Sequence, residues 1–141
     1  MILLDTNVVS EQLRPRPNPT VLGWIDAQPA STVYICAPVL AELRFGAERL
    51  EPGRIRTNLH VAIDRIEGSL FRGRILPFDA AAAAEYGRLV AKRERIGRRI
   101  ELLDALIAAI ALTQRADLAT RDVSGFAELG IKLINPFELN E

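Results

Sequence analysis

Four acidic residues stand where the surrounding sequence could put a charge to chemical use. Asp5 ends the apolar run Ile2-Leu3-Leu4 and passes directly into Thr6 and Asn7. Glu42 lies beside Leu43 at the edge of an apolar stripe, Asp104 interrupts the leucine-, isoleucine- and alanine-rich segment 101–114, and Asp122 follows Leu118-Ala119-Thr120-Arg121. If these acids converge, the site is all oxygen, which suits Mg2+ or Mn2+ and disfavours zinc or copper. One or two such ions can bridge a scissile phosphate, make hydroxide from water and steady the leaving oxygen, work that needs no histidine base. The Thr6 and Thr120 hydroxyls could orient a carboxylate or the water. Without metal, clustered carboxylates repel, so at least one should have a raised pKa and divalent ions should stabilise the fold.

Each acid also has a structural reading. Asp5, Thr6 and Asn7 all suit the N-cap of a helix beginning near Val8, and for that stretch alone capping is the simpler account. For Glu42 a solvated glutamate is the default. Asp104 is harder to dismiss, because an unpaired carboxylate inside a buried helix costs several kcal/mol or shifts its pKa until it is neutral. It therefore needs a cation, a donor network or an open cleft, and Ala105 and Ala108 leave room for one. Asp79, just ahead of Ala80, reads as a helix N-cap with no catalytic part.

Placing the acids requires strands and helices in alternation. Residues 2–4 read as a buried strand and 8–13 as a short helix, stopped by the prolines at 15, 17 and 19. Residues 20–27 resume as a helix with Trp24 on its packing face. Residues 32–36 make a β-branched and aromatic strand, 38–50 and 54–71 are helices, and 75–78 is a third strand. A helix over 80–95 follows, ending in the basic turn 96–99. The helix over 101–114 should be buried nearly all round. A fourth strand over 118–120, a helical turn over 126–129 and a fifth strand over 131–134 complete the chain. This order implies an α/β fold with a central, mainly parallel sheet of about five strands and helices on both faces, in a single domain spanning 1–141. Strands of such sheets present functional groups at their carboxyl ends, where Asp5 and Asp122 fall.

Composition narrows the field. Hydrophobic residues make up 49% and charged residues 26%, a globular balance that excludes a disordered or fibrous chain. The single cysteine, Cys36, has no internal disulfide partner and reads as buried; with His60 the only histidine, a nitrogen and sulfur zinc site cannot be assembled. His60 itself reads as a helix surface residue. No basic segment precedes the first apolar run, and the longest apolar run, 105–112, falls well short of the roughly 20 residues of a membrane span. The expectation is a cytoplasmic protein with no membrane contact.

The formal net charge is zero, which argues against a general nucleic-acid coating protein. Of the 18 basic residues, however, only Lys92 and Lys132 are lysines. Arginine grips phosphate bidentately and stacks on bases. The groups Arg54, Arg56, Arg65, Arg72, Arg74 and Lys92, Arg93, Arg95, Arg98, Arg99 are candidates to hold a nucleic acid, or else solvated helix faces.

The segments Leu4-Asp5-Thr6-Asn7-Val8, Ala41-Glu42-Leu43-Arg44-Phe45-Gly46, Arg74-Ile75-Leu76-Pro77-Phe78-Asp79, Asp104 with the run to Ala111, and Leu118-Ala119-Thr120-Arg121-Asp122 resemble, in this order, the PIN-domain toxins. The match is to the VapC/FitB branch of type II toxin–antitoxin systems and runs nearly end to end, including Asn135-Pro136-Phe137. The resemblance implies a compact PIN-like α/β/α sandwich and a Mg2+- or Mn2+-dependent endoribonuclease that acts on cellular RNA. It implies inhibition by a cognate DNA-binding antitoxin and assembly as a homodimer. Carried over, the metal-holding acids are Asp5, Glu42, Asp104 and Asp122, with Thr6 as a supporting polar group. Many members carry Asn where Asp122 stands and a later Asp where Gly125 stands, which makes Asp122 the least secure ligand.

Other classes fit less well. A phosphatase of the haloacid dehalogenase type needs a second aspartate two residues after the first, where Asn7 stands. No glycine-rich loop with a following lysine exists for a P-loop enzyme. A PIN-like module that binds RNA or protein without cutting, or a metal-dependent phosphohydrolase of another class, stays open as an alternative.

Overall fold

The computed structural model describes residues 1–139. Five strands, β1 (Ile2–Leu4), β2 (Val33–Cys36), β3 (Ile75–Leu76), β4 (Asp117–Ala119) and β5 (Leu133–Ile134), form one sheet in the order β3-β2-β1-β4-β5. All four pairings are parallel, with Leu3 opposite Tyr34 on one side and Leu118 on the other. Parallel strands cannot be joined by hairpins; helices make the crossovers as far as β4, and turns alone lead from β4 to β5. The helices are α1 (Thr6–Val9), α2 (Pro19–Ala27), α3 (Ala37–Glu48), α4 (Arg54–Arg65), α5 (Ala80–Arg95) and α6 (Leu102–Gln114). The α/β/α sandwich and its mainly parallel five-strand sheet are as the sequence implies.

The central strands are covered on both faces, so Leu3, Leu4, Ile35 and Leu118 have no solvent exposure at all. From β1 the chain moves outward through β2 to β3, then returns through α5 and α6 to β4 on the opposite side of β1. Connections therefore leave β1 and β4 in opposite directions, and the crevice at their carboxyl ends is the place where such sheets bind ligands. Among the described residues, no helix is long and apolar enough to cross a membrane.

Several elements differ from their sequence reading, each for a local reason. The segment expected as one helix over 54–71 ends as α4 at Arg65 and continues as a single wider π turn, Ile66–Leu70. The expected helical turn over 126–129 is a succession of turns without a helix, because Glu128 takes a left-handed backbone (φ 63) and Gly130 another (φ 78). The third and fifth strands are only two residues each, shorter than read. Helix α6 is not buried all round: Ala105 and Ile107 to Ala111 are buried, but Leu102 is 64% exposed at its start. That open first turn carries Asp104.

Candidate active site at the carboxyl ends of the central strands

Asp5 leaves β1 in extended conformation and its backbone N–H still pairs with Ala119 O of β4 at 2.9 Å. The ladder thus carries the aspartate to the end of the sheet. Its Oδ1 accepts from Thr6 N at 2.7 Å, so Asp5 does cap α1. Its Oδ2 accepts from the Thr120 hydroxyl at 2.7 Å and from Asn7 Nδ2 at 3.2 Å. Asn7 Oδ1 in turn accepts from Arg121 N, and Thr120 Oγ1 from Asp122 N. These bonds stitch the end of β1 to the end of β4, so capping and site-building are one arrangement.

The other acids arrive from three directions. Glu42 comes from α3, Asp104 from the first turn of α6, and Asp122 from the loop after β4. Together with Asp5, Thr6, Asn7 and Ser10 they line one cavity of about 260 Å3. Among the described residues no arginine, lysine or histidine forms an ion pair with any of the four. Their charges therefore act on one another. Burial raises the pKa of Asp5, and Asp122 adds to the rise, while the Thr120, Thr6 and Asn7 bonds oppose it. Glu42 is raised by burial and then by Asp5 and Glu101. Asp104 is pushed up to about 6, first by burial and then by Asp5, Asp122, Glu101 and Glu42. The hydroxyl of Thr6 is buried and has no hydrogen-bond partner.

Among the described residues, no three acidic, histidine or cysteine side chains stand close enough to grip an ion directly. The acids line a space instead of closing on a point.

Asp122 is held differently from Asp5. It is exposed, and its Oδ1 accepts from Gly125 N at 3.0 Å and Ser124 Oγ at 3.2 Å, within its own turn. A Cβ at position 125 would lie 2.3 Å from Asp122 Oδ2, so the carboxylate can occupy this place only above a glycine. Gly125 is what makes room for the aspartate.

Sequence reasoning missed Glu101, which adds its charge to both Glu42 and Asp104. Its spacing of three from Asp104 puts the two on one helix face and was a usable signal. It also left the arginines undivided. Arg93 is only 3% exposed and donates to Gly125 O at 3.0 Å and Ala127 O at 2.7 Å, so it clamps the loop that carries Asp122 and is not a surface residue. Arg74 donates to the carbonyls of Ala30, Val33 and Leu70, and Arg56 pairs with Glu48. Both have structural work, which thins the first of the two arginine groups.

The model of the PIN domain matches residues 2–132 of the chain. A VapC ribonuclease, Y4jK, of Sinorhizobium fredii is 43% identical over 141 residues, covering 98% of this chain and 99% of that protein. Toxin FitB of Neisseria gonorrhoeae is 41% identical over 137 residues, covering 97% and 99%. A FitAB complex bound to a DNA fragment superposes with a TM-score of 0.91 at 40% identity, covering 100% of this chain and 99% of that one. The chain belongs to the PIN-domain family, in its VapC/FitB toxin branch.

Proposed function

We propose that this chain is the toxin of a toxin–antitoxin pair and hydrolyses RNA phosphodiester bonds as a Mg2+- or Mn2+-dependent endoribonuclease. The observation that carries the reading is the gathering of Asp5, Glu42, Asp104 and Asp122 around one cavity with no protein cation to balance them. The donor chemistry suits a hard ion, and the partnerless Thr6 hydroxyl is a further oxygen on the same wall. Because the acids do not already grip a point, the fit is to an ion that keeps much of its water. Mg2+ does so, taking one or two carboxylates, and a water occupies about 30 Å3 of a cavity several times larger. Asp5, Glu42, Asp104 and Asp122 would hold it, directly or through its water. When bound, such an ion supplies Lewis acidity and charge neutralisation at a phosphate.

The chain's own residues do the positioning. Thr120 and Asn7 fix the Asp5 carboxylate against rotation, and the Thr6 hydroxyl is free to orient a water or a phosphate oxygen. Relatives named ribonuclease and toxin support RNA as substrate, and a neighbour seen on DNA supports a DNA-binding antitoxin as partner. An apolar groove of about 630 Å3, lined by Leu13, Leu43, Phe45 and Leu59, runs up to Thr6 and Glu42. An antitoxin segment laid there would cover Phe45, which is 63% exposed, and reach the edge of the acid cavity. The working unit is a homodimer in the cytoplasm.

The test is cleavage of a total-RNA pool by purified protein with Mg2+, with and without chelator, beside Asp5→Ala and Asp104→Ala. Cleavage that disappears with chelator and in both variants is expected. Cleavage indifferent to all three would defeat the metal assignment, and binding without cleavage would favour a non-catalytic module.

A further inference from the structure

A second cavity, of about 300 Å3, adjoins the acid cavity and shares Asp104 and Asp122 with it. Arg93, Arg98 and Arg99 also line it. We propose that these arginines are a phosphate subsite, seating a backbone phosphate of single-stranded RNA beside the one that is cut. The proposal rests on the nuclease reading for its substrate and adds the place where the strand is held.

Physical need and local geometry point the same way. An acid cavity repels a polyanion, and a chain of zero net charge has no overall field to draw one in. Attraction must then come from a local array, and here three arginines line the same cavity as Asp104 and Asp122. Arg93 is the buried member. One of its terminal nitrogens is taken up by the carbonyls of Gly125 and Ala127, while Nε is buried with no acceptor in the protein. The loop clamp accounts for the first and leaves the second unexplained. Arg93 lines the cavity, so its guanidinium charge bears on an anion seated there. Arg99 forms no ion pair or side-chain hydrogen bond among the described residues, so it is available to an incoming anion. Arg98 is held at 3.1 Å from Glu128, which keeps its guanidinium near the rim. Buried clamp, free arginine and tethered arginine together make a graded anion seat, lined also by Gly125 and Ser124.

The chemical class recognised is a phosphodiester flanking the scissile one. No base is read here, so the subsite contributes affinity and register without sequence preference.

The experiment measures binding of a short fluorescein-labelled single-stranded RNA of mixed sequence to the full chain in chelator, where no cleavage interferes, across a salt series. Steady-state cleavage with Mg2+ then separates KM from kcat. Arg99→Ala should weaken binding on the order of tenfold and make the salt slope shallower by about 0.7. It should raise KM by a similar factor with kcat changed less than about twofold. Arg98→Ala should act in the same direction more weakly, and Lys132→Ala, an exposed position outside the cavity, should leave both quantities unchanged. Millimolar inorganic phosphate should compete with RNA on the wild type and lose that effect in Arg99→Ala. Because Arg93→Met removes the loop clamp as well, the exposed Arg98 and Arg99 carry the test. RNA binding equal in wild type, Arg98→Ala and Arg99→Ala would overturn the subsite. If the wild type fails to cleave yet its RNA binding still depends on Arg99, the subsite stands and the nuclease reading falls.

Discussion

Asp5 and Asp122 face the same cavity from the ends of neighbouring strands, yet the molecule holds them by opposite means. Asp5 is 5% exposed, and its carboxylate is fixed by donors from α1 and from the end of β4. Asp122 is exposed on a loop and spends one oxygen on its own turn. The first is placed by the sheet itself, because the ladder bond from Asp5 N to Ala119 O carries it to the end of β4. The second is placed by a loop that needs Gly125 beneath it and Arg93 behind it. A charge supported by the core is hard to displace, and one supported by a loop depends on each residue of that loop.

This contrast can be broken in order of size. Asp5→Ala should lower RNA cleavage by at least about 10²-fold, since even outer partners of a metal site are worth about 10 to 100-fold. Asp122→Ala should cost about tenfold; equal losses in initial-rate assays would erase the distinction between the two acids. Thr120→Val keeps the shape but strips Asp5 of a donor and leaves Asp122 N without its acceptor. It should destabilise the protein by roughly 1–3 kcal/mol, read from urea unfolding. Gly125→Ala should leave the melting temperature nearly unchanged and reduce cleavage to about the level of Asp122→Ala, because the new methyl group occupies the carboxylate's place. Full activity in that variant would show that Asp122 has no part in the site.

The smallest effect concerns proton binding. Asp104 has a folded pKa of about 6 against 3.8 for the free side chain, so the folded protein holds this proton more tightly than the unfolded chain. Stability of the metal-free protein should therefore fall as pH rises from about 4 to about 6 and stay lower above that window. Because the group is half-exposed, solvent screening brings the penalty to about 1 kcal/mol. Asp104→Asn should remove this dependence, and Mg2+ should offset it in the wild type. Chemical unfolding of both proteins across this pH range, with and without Mg2+, checks the sign.

Much of this was legible before any coordinates. An apolar triplet ending in Asp-Thr-Asn gives a strand that stops on polar groups, and Asp5 sits at the carboxyl end of β1. Asp79 caps α5 by accepting from Ala82 N and Cys36 is buried, both as read; that burial pushes the Cys36 thiol up to about 12. The errors cluster where a residue's role depends on a distant partner. Arg93 sits within a basic run that reads either as a nucleic-acid contact or as a solvated helix face, but its acceptors are carbonyls more than thirty residues away. Helix α6 had an apolar pattern over its whole length, yet its first turn is open because it borders the cavity.

The sequence by itself determined the alternation of strands and helices, the parallel sheet and the four acids, because hydrophobic period and residue type act over a few residues. Only the tertiary structure decided that β4 returns beside β1, that Arg93 clamps the loop after β4, and that Gly125 lies under Asp122. Those facts depend on which strands become neighbours and on distances of a few ångströms between remote segments, which no local pattern encodes.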